Sequence, residues 1–176
     1  YKGITWEIVF YGITLGEVVR AGMECFFDYN SAKIPTLTRN ITNLLLRNFD
    51  EILLSDVFEA TVEDFFKDIT WRMVIEAVLE IVGADLNELR EYTGNLVEKL
   101  LVNFGIPVWE YRLLTVENLL TGITYSDIIR SVLEYAGVCV DQFEKADHVE
   151  SHEHGVEFKE GTRALVGKLL DNMDGA

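Results

Sequence analysis

The three histidines of the chain, His148, His152 and His154, share one acidic stretch, ADHVESHEHGVEFKE, with Asp147, Glu150, Glu153 and Glu157. Imidazole nitrogens beside carboxylates are ligands for a divalent transition metal such as zinc, nickel, iron or manganese, and an open coordination position on such an ion would activate water. On a helix, His148 and His152 share a face at the i,i+4 spacing. On a strand, His148, Glu150, His152 and His154 point the same way, but neighbours on that face are about 6.7 Å apart and the row of four is about 20 Å long. One ion would then take His152 and His154, with Glu150 or a carboxylate from elsewhere as the third ligand. The candidate metal set is therefore His148, Glu150, His152 and His154. Two other readings stand beside it: a solvated acidic loop, and a pH sensor whose imidazoles the carboxylates stabilise in the charged form.

No other constellation carries chemistry, and no catalytic residue is assigned. The chain has no glycine-rich phosphate loop, no serine elbow and no Cys-His pair at a known spacing. Cys25 and Cys139 lie far apart without a CxxC pattern and are predicted to be reduced, buried thiols. Trp6, Trp71 and Tyr125 are predicted to be core aromatics, with Trp109 packing a connector.

Composition bounds the elements that must position these residues. The 176 residues are 49% hydrophobic, enough for one core, and only 2 are proline. With abundant Leu, Val, Ile and Glu, this predicts a single all-α domain over residues 1–176. Charges interrupt every apolar run well short of the roughly 20 residues that span a bilayer, and no basic, signal-like start precedes them, which predicts a cytoplasmic protein. The net charge of −15 repels phosphate backbones.

The chain also repeats itself. TVEDFFKDIT at Thr61 returns as TVENLLTGIT at Thr115, and Thr61–Leu86 shares ten identities in 26 positions with Thr115–Val140. TWEIVFYGIT at Thr5 is a third version. TRNITNLLLRNF from Thr38 is matched by TGNLVEKLLVNF from Thr93 and TRALVGKLLDNM from Thr162. Three degenerate helical repeats, 5–60, 61–114 and 115–173, are predicted, each with a short helix, a turn, a long helix, a connector and a final helix. Thr38 and Thr93 are 55 residues apart, but Thr162 lies a further 69 on. The extra 14 residues fall around the histidines, in VDQFEKADHVESHEHGVEFKEG.

Local signals place the helix ends. Threonine with an acidic residue in the following turn (Thr14–Glu17, Thr61–Glu63, Thr115–Glu117, Thr124–Asp127) suits an N-terminus, and Gly83, Gly122 and Gly137 suit C-termini. Positions 125, 128, 129, 132, 133 and 136 fall at helical spacing and predict one packed face. Leu79 and Leu133 are expected on that face, Glu80 and Glu134 on the solvent side.

Gly-Ile-Thr ahead of Ile128 has the form of a helix-turn-helix turn, but the following helix offers only Arg130, and its counterpart only Arg72, each beside acidic residues. Nucleic-acid binding is disfavoured. DITWRMVIEAVLEIVGADLNEL is similar over about 20 residues to a helical stretch of haem-dependent nitric-oxide/oxygen-binding domains. The Tyr-x-Ser-x-Arg motif of those domains is absent and the stretch recurs as GITYSDIIRSVLEYAG, so no haem function is carried over. The expectation is a non-enzymatic binding or sensor module that engages a protein partner, a second copy of itself or a small apolar ligand. A metal-binding protein, with a metal-dependent hydrolase as its enzymatic form, is the alternative.

Overall fold

A computed structural model describes residues 5–27, 31–143 and 159–174. Its α-helices are α1 (Trp6–Val9), α2 (Leu15–Phe27), α3 (Thr36–Asp50), α4 (Val62–Phe66), α5 (Trp71–Val82), α6 (Glu91–Asn103), α7 (Val116–Leu119), α8 (Tyr125–Tyr135) and α9 (Glu160–Met173). Short 3-10 turns, among them Leu54–Asp56, Val108–Leu113 and Val140–Phe143, connect them. The described residues contain no strand, only two isolated bridges, so the chain is all-α as its composition requires. None of these helices is long and apolar enough to cross a membrane.

Threonine starts the helices as expected. Thr61, Thr70, Thr115 and Thr124 are extended N-cap residues, each accepting a bond from the N–H three residues on. Thr124 and Asp127 form a reciprocal capping box, and Thr14 and Glu17 exchange the same bonds. Thr61 forms the same reciprocal box with Asp64, and Glu63 lies in the first turn as expected. Gly83, Gly122 and Gly137 stop helices with φ of +76°, +72° and +80°, where a side chain would be strained. Aligned with Gly122, Asp68 is driven to the same region, φ +63°.

The chain divides into two compact units, Tyr1–Ala84 with Phe104–Leu114, and Asp85–Asn103 with Thr115–Ala176. In the first, α3 packs against α2, α4 and α5 over Leu46, Ile52, Ile69 and Ala77, all buried. Phe49 and Phe65 meet edge to face at the α3–α4 contact, centroids 5.9 Å apart. Two loop pairings close this unit: Leu15 and Leu54 exchange backbone bonds with Ile52 and Ile13, and Trp71 and Val108 with Ile106 and Ile69.

In the second unit, α6 packs against α8 and α7, and α9 against α8 and Val140–Phe143. Its core is Val140, Phe143 and Leu170, with Tyr92, Ile129, Leu133, Val138, Val166 and Met173 around it. Gly167 is required there, because a Cβ would come within 2.6 Å of the Phe143 carbonyl oxygen.

Two expectations are corrected. Cys25 is exposed and Cys139, in the link between α8 and the Val140–Phe143 turn, is half-buried, both as free thiols. Tyr125 is 64% exposed and outside the core, because it lies at the open edge of α8, whose buried positions are Ser126, Ser131 and Glu134.

Candidate interaction surface

Helix α3 is gripped at both ends by the segment that follows it. At its N-terminus the backbone N–H groups of Thr36, Leu37 and Thr38 donate to the Glu80 carboxylate of α5, at 3.0, 2.8 and 3.4 Å. At its C-terminus Asn48 of α3, 2% exposed, donates its carboxamide to the carbonyls of Phe65 and Lys67 at 3.1 and 2.8 Å, where α4 ends. Those carbonyls have no further turn of α4 to receive, so a side-chain donor satisfies them.

The same two grips hold α6. The N–H groups of Tyr92 and Thr93 donate to Glu134 of α8 at 3.2 and 2.8 Å, and the Thr93 hydroxyl adds a third bond at 2.7 Å. Asn103 donates to the carbonyls of Leu119 and Thr121, both at 2.8 Å. Glu80 and Glu134 are therefore not solvent-side residues. Glu134 is 9% exposed, and each carboxylate meets the positive end of a helix dipole with orphan N–H donors, which stabilises by about 1–2 kcal/mol.

Around the second grip, Arg90 donates to the Glu134 carbonyl, Tyr92 to Asp141, and Ser131 to the Thr93 hydroxyl. Lys99 of α6 reaches Asp127 at the start of α8, 2.7 Å away. Burial pushes the Asp127 carboxyl up, but the Lys99 ammonium and the Thr124 N–H and hydroxyl outweigh it, and the net shift is below the ordinary carboxylate range.

Helix α9 lacks both grips. None of the described side chains reaches the N–H groups of its first turn, and Asn172, which aligns with Asn48 and Asn103, is exposed. Leu165 and Leu169 are 59% and 49% exposed, whereas the aligned Ile41 and Leu96, and Leu45 and Leu100, are half-buried. Only the third member of this face matches: Leu46, Leu101 and Leu170 are all buried.

Helix α8 carries a second open face. Tyr125, Ile128, Val132 and Tyr135, exposed at 64%, 40%, 61% and 91%, follow one another at spacings of three, four and three. The single packed face expected over 125–136 is thus two faces: residues 129 and 133 are packed, and residues 125, 128 and 132 are open.

The predicted metal ligands His148, Glu150, His152 and His154 lie outside the described residues. Among the described residues no group of three or more His, Cys, Asp or Glu could hold a metal. Arg72 and Arg130, the basic residues of the helix-turn-helix reading, are paired with Glu76 and Asp174. In the repeated segments Glu80 aligns with Glu134 and Asn48 with Asn103, and such polar identities inside apolar patterns are the sequence signal of these buried bonds. Comparison with protein-family models, curated proteins and solved structures finds no match.

Proposed function

We propose that the chain is a non-enzymatic protein-binding module whose partner lays an amphipathic helix along α8. The observation that carries this reading is the exposed stripe Tyr125, Ile128, Val132 and Tyr135. Its three-four-three spacing is the spacing at which a second helix meets a first, and tyrosine provides large contact area at low entropic cost. The side of α8 away from the stripe is fixed by buried Ser126 and Glu134, and the adjoining Ile129 and Leu133 pack on the core, which makes the stripe a rigid platform. A net charge of −15 attracts a basic partner and repels an acidic one.

The test is selection of helical peptides from a randomised basic amphipathic library against the purified protein. Binders are expected that lose affinity by about tenfold or more on Val132→Glu and weaken as salt rises. A library without binders, or binders indifferent to both Ile128→Glu and Val132→Glu in a protein of unchanged helical content, overturns the reading. The alternative of a metal-binding segment at His148, Glu150, His152 and His154 rests on ligand chemistry in the sequence alone.

A further inference from the structure

We propose that α9 of one molecule is the docking site for α1 and α2 of a second copy, so that the chain associates head to tail. This goes beyond the α8 reading and uses a different helix. The interface is already made twice within the chain. In both cases a final helix is gripped by the short and long helices that follow it, through one carboxylate at its N-terminus and one carboxamide at its C-terminus. Helix α9 has the receiving half of that interface and nothing among the described residues in it: an uncapped first turn, exposed Leu165 and Leu169, and exposed Asn172.

The donating half stands at the other end of the sequence. Alignment of Thr5 with Thr61 places Glu24 of α2 where α5 has Glu80 and α8 has Glu134. Glu24 is exposed, and no described residue bonds its carboxylate. The same alignment places the carbonyls of Val9 and Tyr11 where Phe65 and Lys67, and Leu119 and Thr121, accept from Asn48 and Asn103. The turn that presents them has the required shape, since Gly12 has φ +72°, equal to that of Gly122. Ile8, Val9 and Tyr11 on this segment are 67%, 48% and 89% exposed, an apolar surface for Leu165, Leu169 and Met173.

A second copy thus brings Glu24 to the α9 N-terminus and the Val9 and Tyr11 carbonyls to Asn172. Because the two surfaces differ, each molecule keeps one unused surface after pairing, so the pair retains one of each kind, and the contact is heterologous. Its energetic basis is covering of apolar surface together with donors and acceptors that are matched elsewhere in the same chain.

The experiment is sedimentation equilibrium of the wild type and of two surface variants over a wide concentration range, with circular dichroism to verify helical content. The wild type is expected to grow in mass with concentration, past the dimer or to a closed ring. Leu169→Glu with Asn172→Asp blocks the α9 side, and Glu24→Arg with Tyr11→Glu blocks the other; each variant alone is expected to remain monomeric. Their equimolar mixture is expected to form a 1:1 heterodimer and stop there, because only one compatible pair of surfaces remains. Asn172→Asp alone should weaken association by about tenfold, since it places a carboxylate against two carbonyls. A wild type that stays monomeric throughout overturns the proposal, as it would if a different segment occupied α9. So does a symmetric dimer that survives Glu24→Arg with Tyr11→Glu, or a mixture that does not pair. Peptide binding to α8 is measured on the Leu169→Glu, Asn172→Asp monomer, so either reading can fail without the other.

Discussion

Replacing the three aligned asparagines by alanine separates a structural grip from an open one. Asn48→Ala removes two hydrogen bonds at a site 2% exposed and leaves the Phe65 and Lys67 carbonyls facing a space that solvent does not freely enter. Each bond contributes about 1 kcal/mol net, and an orphaned buried acceptor costs about 1–3 kcal/mol. The better helix propensity of alanine returns about 0.5 kcal/mol. The net expectation is a loss of about 2–4 kcal/mol. Asn103→Ala removes two bonds of 2.8 Å, but Asn103 is only half-buried, so water replaces part of them and the loss is about 1–2 kcal/mol. Asn172→Ala, at an exposed position, should stay within about 0.5 kcal/mol at dilution. Urea unfolding followed by circular dichroism reads these values. With a slope of about 2 kcal/mol per molar, the midpoint should fall by about 1–2 M for Asn48→Ala and by no more than about 0.25 M for Asn172→Ala. Equal losses at the three positions, or a larger one at Asn172, would refute the assignment of the carboxamide as a buried clamp.

Acid should act through Asp127. Its carboxyl is held below the ordinary range in the folded chain, so its stabilisation is fully present above the unfolded value near about pH 4 and is lost as pH falls through the folded value. Asp127→Asn is expected to lose about 1–2 kcal/mol at neutral pH, with the gap to wild type closing below about pH 4 in urea melts; a gap independent of pH argues against a carboxylate cap. For the histidine segment, protein prepared without chelator and offered zinc, nickel, iron and manganese is expected to retain stoichiometric metal that His152→Ala with His154→Ala abolishes, helical signal unchanged. Occupancy should fall below about pH 6 as protons compete for imidazole, and wild type that retains none of the four ions ends the metal reading.

Much of the fold was legible because its signals are local. A threonine hydroxyl caps an N–H three residues away and a glycine accepts positive φ, so the starts at Thr61, Thr115 and Thr124 and the stops at Gly83, Gly122 and Gly137 need nothing from the rest of the chain. The environment of Glu134 is not local. Periodicity assigns a carboxylate to the wetted side of a helix by default, but its burial is decided by N–H donors of Tyr92 and Thr93, about forty residues earlier. The open stripe on α8 was hidden for the opposite reason. Ile128 and Ile129 are indistinguishable as letters, and only the packing of α9 and Val140–Phe143 against Ile129 selects which one is covered. Nor could sequence place His148, Glu150, His152 and His154, since helix and strand offer different ligand subsets from the same letters.

The polar grips also explain how apolar helices of such similar composition find one register. The covered apolar positions of α3 and α6 are mainly Leu, with Ile41 in α3 and Val97 in α6, at helical spacing, and sliding by one turn would exchange one such residue for another at small cost. A carboxylate at one end and a carboxamide at the other do not tolerate the slide. Moving α3 by one turn, about 5.4 Å, would take its first N–H groups away from Glu80 and Asn48 away from the end of α4 together, leaving orphan donors and acceptors at both ends. Apolar burial thus favours contact between these helices, while Glu80 with Asn48, and Glu134 with Asn103, select the one alignment in which these N–H and carbonyl groups are met at both ends.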